Sequence, residues 1–186
     1  MKNIFNQILT KEQAQFFNGC KLTDNMGRLK VFYHGDKLPS RNTFHCEQGP
    51  VYFSEVPTYA KEYAINTEDD SEGGFFTIYL NMKNPLWNVT DELLRGLDEL
   101  GIEHPHLIKG QLISTFYIDK DDQVFELYQW LRSNTDYDGI ILTEELTSSH
   151  KAKYSDLADL SYVPFYNNQI KSIDNLKPTK NNNIFS

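Results

Sequence analysis

Hydrophobic residues recur at helical spacing in several stretches of the chain. The first stretch follows Thr10-Lys11-Glu12-Gln13, which has the form of a capping box, and it stops at Gly19. Another begins at Pro57, a residue that suits the first turn of a helix. The predicted helices, in chain order, are residues 10–18, 57–64, 90–100 and 122–132.

Short runs of β-branched and aromatic residues between these stretches are typical of strands. The predicted strands are residues 29–33, which end at His34-Gly35, then 51–54, 75–80 and 140–143, and a late pair at 162–165 and Ile170 around the turn Asn167-Asn168. Strands and helices follow no regular alternation. This order favours an α+β domain over a doubly wound parallel sheet.

The chain length fits one domain. At 186 residues, it can bury most of its apolar surface without help from metals or disulfides. We expect a single domain at residues 1–174 with its core at 29–172. Residues 175–186 are polar and rich in Asn and Lys, and they predict a frayed tail.

Charge and cysteine content narrow the classes of function. The net charge of −8 disfavours passive adhesion to nucleic acid, because that binding depends on Lys and Arg displacing counterions from phosphates. The first residues lack the apolar run of a signal peptide, and no stretch has the roughly 18 apolar residues of a membrane span, so we expect a soluble, cytosolic protein. Cys20 and Cys46 are too few for a disulfide framework and lack partners at zinc-site spacing.

Several local motifs stand out when they are taken together. His34-Gly35 follows a predicted strand, and Tyr52 and Tyr63 are separated by ten residues. The full set is His34-Gly35, Tyr52-Phe53-Ser54, Ala60-Lys61-Glu62-Tyr63-Ala64 and Gln169-Ile170-Lys171-Ser172. This set resembles the ADP-ribosyltransferases of the diphtheria-toxin and poly(ADP-ribose) polymerase type. Its layout is similar to the small ADP-ribosyltransferase domains of phage and mobile-element polyvalent proteins.

The resemblance implies a split antiparallel sheet around an NAD cleft, with flanking helices. It also implies that NAD is consumed as a substrate without a metal, and that one ADP-ribose passes to a macromolecular acceptor. A protein acceptor is favoured over nucleic acid, because the acidic chain has no basic tract with interleaved aromatics. Such domains commonly serve as toxins, effectors or phage-encoded modifiers, which would act in the cytoplasm of the producing or the target cell.

The same resemblance assigns roles to residues. Tyr52 and Tyr63 would flank the nicotinamide, since aromatic faces suit a flat cationic ring. Gly35 would let its backbone approach the carboxamide, and His34 would bond a ribose hydroxyl. Other residues expected beside this pocket are Ser54 and Ala60.

The sequence departs from the family pattern at the catalytic acid. Relatives carry a glutamate at the start of a late strand, where this chain has Ser161 ahead of Tyr162. The loss argues against polymer synthesis, while transfer to an acceptor that supplies its own carboxylate remains open. Asp159, two residues earlier on the same face of an extended strand, is the nearest substitute. Asp36 replaces the usual Thr or Ser after His-Gly and either faces the cationic ribose or caps a turn.

Other interpretations stay open. His34, Tyr52 and Tyr63 could each be structural residues of the core. The whole domain could be a non-catalytic module that binds NAD or a protein, and a metal-independent ribonuclease using His34 is a weaker alternative. His104-Pro105-His106 is a poor metal-ligand set, and the acidic pairs Asp69-Asp70 and Glu144-Glu145 are expected to be solvated.

Overall fold

A computed structural model describes residues 1–38, 40–65, 73–104, 106–114, 121–143 and 160–186. Within these ranges the α-helices are α1 (Lys11–Phe16), α2 (Pro57–Glu62), α3 (Asp91–Leu100) and α4 (Asp121–Asn134). The strands are β1 (Phe32–Asp36), β2 (Gly74–Leu80), β3 (Pro85–Leu86), β4 (Ile113–Ser114), β5 (Gly139–Thr143), β6 (Leu160–Pro164) and β7 (Ile170–Ser172). A 3₁₀ helix spans Asn167–Gln169.

The helices form where the hydrophobic spacing predicts them. At α1, the Thr10 side chain accepts a hydrogen bond from the backbone N–H of Gln13, whose own side chain accepts from the N–H of Thr10, so the predicted capping box is present. Thr90 caps α3 by accepting a hydrogen bond from the backbone N–H of Leu93, and Gly101 ends that helix in the left-handed conformation (φ 67°). None of the described helices combines the length and the hydrophobicity needed to cross a bilayer.

The strands divide into two sheets. The first is antiparallel, in the order β1-β2-β7, with His34 opposite Phe76. In the second, β6 pairs antiparallel along the whole of β5, and β3 and β4 pair parallel with its first and last residues. Because a strand has only two edges, β3 and β4 must share the edge of β5 that β6 leaves open. The predicted α+β class with a split sheet is confirmed, and the second sheet adds two parallel pairs.

One short segment joins the two sheets. Ser54 exchanges both backbone hydrogen bonds with Tyr33 of β1, and the adjacent Phe53 exchanges both with Tyr162 of β6. Residues 53 and 54 therefore span the split between the sheets. The hydrophobic core has two clusters. In one, Phe32, Phe53 and Tyr162 pack together, and in the other, α3 and α4 pack against β5.

Several strand predictions need correction. The strand predicted at 29–33 lies at 32–36, so His34-Gly35 sits within β1 and not after its end. The strand predicted at 51–54 is reduced to isolated bridges at Phe53 and Ser54, because these two residues pair with different partners. The late strands β6 and β7 belong to different sheets and do not pair as a hairpin.

The frayed tail predicted from Asn175 onward is also wrong. Ile184 is buried, and its backbone N–H donates to the carbonyl of Asn42. The buried Lys171 of β7 donates from Nζ to the carbonyls of Asn183 and Ser186, at 2.7 Å each, and to that of Asn181 at 2.9 Å. Composition alone indicated disorder, whereas a buried cation holds the segment against the domain.

Candidate active site

A cavity of about 450 Å³ opens where the two sheets meet. Its walls come from β1, the segment before α2, α2 itself and the start of β6. Every described residue that the sequence predicted for the site lies in these walls: His34, Gly35, Tyr52, Ser54, Ala60, Tyr63 and Ser161. Asp159 lies outside the described residues, as do the acidic pairs at 69–70 and 144–145.

His34 is held in one orientation by its surroundings. Its Nδ1–H donates to the backbone carbonyl of Tyr52 (2.7 Å), because a carbonyl can only accept. Burial lowers the pKa of His34 below its ordinary value of 6.5, against the opposing effects of the Tyr52 carbonyl and of Asp36. The imidazole is therefore neutral at pH 7, and Nε2 is left as a hydrogen-bond acceptor.

The two tyrosines stand at the open side of the cavity. Tyr52 is 39% exposed and Tyr63, which ends α2, is 57% exposed. Below them, the buried Tyr59 meets Tyr63 edge to face, with their hydroxyl oxygens 2.9 Å apart. Tyr63 is thus fixed on one side, while its other surface is available to a ligand.

Gly35 has a packing role that the sequence reasoning did not foresee. A Cβ at this position would lie 1.9 Å from the carbonyl oxygen of Ala60 and 2.7 Å from the backbone nitrogen of Ala64. Only glycine lets β1 and α2 approach this closely. The presence of glycine is explained by this contact, so it is not in itself evidence for contact with a ligand.

The serines on the inner walls are both buried. Ser54 Oγ accepts from the backbone N–H of Val56 (3.1 Å), the residue that caps α2, so this hydroxyl helps to start the helix. Ser161 is 2% exposed and also lines the cavity. The predicted position of the missing glutamate therefore does border the cavity, and a serine side chain occupies it.

A partly buried polar cluster fixes these walls relative to one another. Glu55 accepts from the Tyr162 hydroxyl and from Lys30 Nζ, the latter at 2.7 Å. Lys30 precedes β1, Glu55 follows Ser54, and Tyr162 follows Ser161. One carboxylate therefore joins the three segments that carry His34, Ser54 and Ser161.

Sequence reasoning did not assign several of the residues that line the cavity, and Tyr59 and Arg41 are two of them. Tyr59 precedes Tyr63 by one helical turn, a spacing that could have revealed it. Arg41 lies in a loop, where no periodicity marks it. Its Nη2 lies 2.5 Å from Asp36 Oδ2, and Asp36 Oδ1 accepts from the N–H of Leu38 (2.9 Å), so Asp36 does cap a turn. Asp36 Oδ2 also lies 3.7 Å from His34 Nε2.

The remaining candidates lie elsewhere. His104 bonds Asp98 (3.1 Å) on the surface, away from the cavity. No group of three or more His, Cys, Asp or Glu side chains suited to hold a metal is found in the described part of the chain. The late Gln169 and Lys171 are buried structural residues: Gln169 donates to the carbonyl of Asn81, and Lys171 binds the segment that follows β7.

Comparison with known proteins identifies the family. No curated protein and no solved structure shows significant similarity to the chain. The family model described as ADP-ribosyltransferase in polyvalent proteins matches residues 24–180, which include every wall of the cavity. The chain therefore belongs to the ADP-ribosyltransferase domains of polyvalent proteins.

Proposed function

We propose that this protein cleaves NAD at the bond between nicotinamide and ribose and transfers one ADP-ribose to a macromolecular acceptor, preferably a protein. The observation that carries the proposal is the convergence of His34, Tyr52 and Tyr63 on one cavity in a chain of this family. NAD is the substrate. Nicotinamide leaves, and the ADP-ribose becomes covalently bound to the acceptor.

The residues of the cavity suit each part of this reaction. The nicotinamide ring of NAD is flat and cationic, and the aromatic rings of Tyr52 and Tyr63, both partly exposed at the cavity, suit such a ring. The neutral Nε2 of His34 accepts a hydrogen bond from a ribose hydroxyl, which orients the sugar. Gly35 and Ala60 form the closely packed inner wall, and Ser54 borders it.

The bond changes balance without an external redox partner. The C–N bond breaks with its electron pair going to nicotinamide, which becomes neutral, while positive charge develops on the ribose. A lone pair of the acceptor then forms the new bond to that carbon, and the acceptor's proton passes to solvent. Fixed dipoles and charges around the ribose are what lower the barrier.

Ser161 bears on the outcome of the reaction. A buried serine cannot supply the negative charge that a glutamate would place opposite the ribosyl cation. We therefore infer single transfer and not polymer synthesis, with the carboxylate supplied either by the acceptor or by Asp159. If this chain supplies no carboxylate, Ser161→Glu should raise the transfer rate. If Asp159 supplies it, Asp159→Asn should lower the rate sharply and leave NAD affinity nearly intact.

Labelling in a lysate tests the proposed function. The purified protein is incubated with a cell lysate and NAD that carries its label in the adenosine, and the product is treated separately with protease and nuclease. We expect covalent label that protease releases and nuclease does not. Label that only nuclease removes would overturn the proposal that the acceptor is a protein. If the folded protein bound NAD but released no nicotinamide and transferred no label, a binding module of the same fold would be favoured. Ser161 motivates this alternative, because it stands where relatives carry the catalytic glutamate.

A further inference from the structure

The cavity carries a cationic side chain that the proposed chemistry of nicotinamide does not use. Among its described lining residues, Arg41 is the only Lys or Arg, and Asp36 is the only carboxylate. Arg41 is held by Asp36 on one side and lies over the ring of Phe44 at 5.5 Å on the other. Its guanidinium therefore has a defined place at the edge of the cavity.

Arg41 also lines a second, more open groove. This groove runs beyond the loop that carries Arg41 and has aromatic and polar walls, which include Asn42, His45, Phe76 and Phe185. A ligand seated in the cavity and extending past Arg41 would enter this groove. Arg41 is the one described residue that lines both spaces, so its guanidinium stands between them.

NAD has a charge pattern that matches the order of cavity, Arg41 and groove. Its nicotinamide ring is cationic, its diphosphate is anionic, and its adenosine is a flat base with a sugar. The exposed tyrosines lie at the cavity, the arginine at the junction, and the aromatic groove beyond. Arginine suits phosphate because its planar fork can donate two parallel hydrogen bonds.

We propose that Arg41 binds the diphosphate of NAD, and that Asp36 competes with the diphosphate for the Arg41 guanidinium. This inference rests on the proposed function. Before NAD binds, Asp36 stands in for the phosphate. When NAD is bound, the guanidinium turns towards the diphosphate, and the adenosine lies in the groove beyond.

The state of Arg41 without ligand is consistent with such a turn. Its Nε is buried and has no hydrogen-bond partner among the described residues, although its Nη2 is paired with Asp36. An unsatisfied buried donor costs free energy, so a reorientation that satisfies it is favoured. The ion pair keeps the charge in place but leaves part of the guanidinium unused.

Binding measurements on separate parts of NAD test this inference. Calorimetric titrations with NAD, ADP-ribose and nicotinamide compare the wild-type protein with Arg41→Met, which keeps an unbranched apolar side chain and loses the guanidinium and its charge. We expect Arg41→Met to weaken the binding of ADP-ribose and of NAD about tenfold or more, and to leave nicotinamide affinity within about twofold. Asp36→Asn removes the competitor and should strengthen ADP-ribose binding.

The matched control is Arg28→Met. Arg28 forms a comparable ion pair with Asp24 (2.7 Å) but does not line the cavity, so its loss should leave all three affinities unchanged. The role of Arg41 would be overturned if ADP-ribose affinity were equal in wild type and Arg41→Met, or if the variant lost nicotinamide affinity as much as ADP-ribose affinity. Either result would leave the proposed function standing. Failure of the folded wild-type protein to bind either NAD or ADP-ribose would instead overturn the proposed function, and this inference with it.

Discussion

One hydrogen bond sets the tautomer of His34, and burial sets its charge. Because the carbonyl of Tyr52 binds Nδ1–H, the ring presents Nε2 to the cavity as an acceptor, and burial keeps the ring neutral at pH 7. A protonated imidazole would present a donor and a positive charge instead. That charge would oppose the cation developing on the ribose.

The pH dependence of turnover follows from this state. We expect kcat/KM for nicotinamide release to be constant near neutral pH and to fall in acid, with a midpoint below 6.5, because the pKa of His34 is lowered. The unfolded chain binds this proton at higher pH than the folded chain does. The free energy of unfolding therefore also falls as the pH drops from 6.5 through the lowered pKa.

His34→Gln provides the control, since glutamine offers an oxygen acceptor but does not titrate. This acid limb should disappear from the rate profile of the variant, and its unfolding free energy should vary less between neutral and acid pH. A wild-type midpoint above 6.5, or an unchanged limb in His34→Gln, would contradict the assigned state of the imidazole.

At the residue scale, sequence reasoning found the parts of the cavity that carry a recognisable motif. The spacing of Tyr52 and Tyr63 and the His34-Gly35 pair are local patterns, and all four residues line one cavity. Arg41 could not be found in this way, because its relation to Asp36 and to the two cavities exists only after the loop folds. The interpretation of Gly35 needed the structure as well, since the contact that requires glycine comes from another element.

At the scale of elements, the position of α2 against β1 determines the shape of the cavity. Gly35 lies under the carbonyl of Ala60, and Tyr63 ends the same helix. Any movement of α2 away from β1 would carry Tyr59 and Tyr63 with it. The shape of the cavity thus depends on the close contact between the backbones of β1 and α2.

Gly35→Ala tests this dependence. The added methyl group would meet backbone and not a flexible side chain, so we expect a loss of about 3 kcal/mol or more in unfolding free energy, at the upper end of overpacking costs. Chemical denaturation measures the loss. Nicotinamide affinity should fall too, since the helix that bears Tyr63 is displaced.

Gly49→Ala is the matched control, because no atom of the described residues lies within 4 Å of a Cβ built there. Its unfolding free energy should stay within about 0.5 kcal/mol of wild type. If Gly35→Ala were as stable as Gly49→Ala and bound nicotinamide equally well, the close approach of β1 and α2 would not be what shapes the cavity.

Elements with a strong hydrophobic periodicity could be predicted from the sequence. Elements whose pairing depends on segments distant in sequence could not. The four helices lie where the 3.6-residue spacing places them, and β2 and β5 match their hydrophobic runs. The segment at 51–54 has strand composition, yet its residues pair with β1 and β6 in turn. Pairing between different sheets depends on contacts far apart in sequence, which local composition cannot specify.

At the scale of the whole molecule, Lys171 connects the last residues to the first sheet. Burial lowers the pKa of Lys171 to about 8, while surrounding backbone carbonyls keep the ammonium group charged at neutral pH. The predicted polar tail is thereby part of the fold. Its Asn-rich composition concealed this, because the buried cation that binds it lies in a different element.

Lys171→Met should destabilise the protein, since it leaves the backbone carbonyls of Asn181, Asn183 and Ser186 without their donor. We expect a loss of about 2–3 kcal/mol, measured by thermal unfolding as a fall in Tm of roughly 5–10 °C. Lys177→Met, at an exposed lysine in the same segment, should change Tm little. Equal melting of the two variants would show that Lys171 does not hold this segment.

The most direct test of the account is the rate of nicotinamide release from NAD by the wild-type protein and by Tyr63→Ala. Phe5→Ala serves as control, because Phe5 is an aromatic residue of similar exposure (54%) that does not line the cavity. We expect nicotinamide release by the wild type and by Phe5→Ala, and a rate about 10²-fold lower in folded Tyr63→Ala, equivalent to a few kcal/mol of transition-state stabilisation. Nicotinamide release at the wild-type rate by folded Tyr63→Ala would contradict the assignment of NAD cleavage to this cavity.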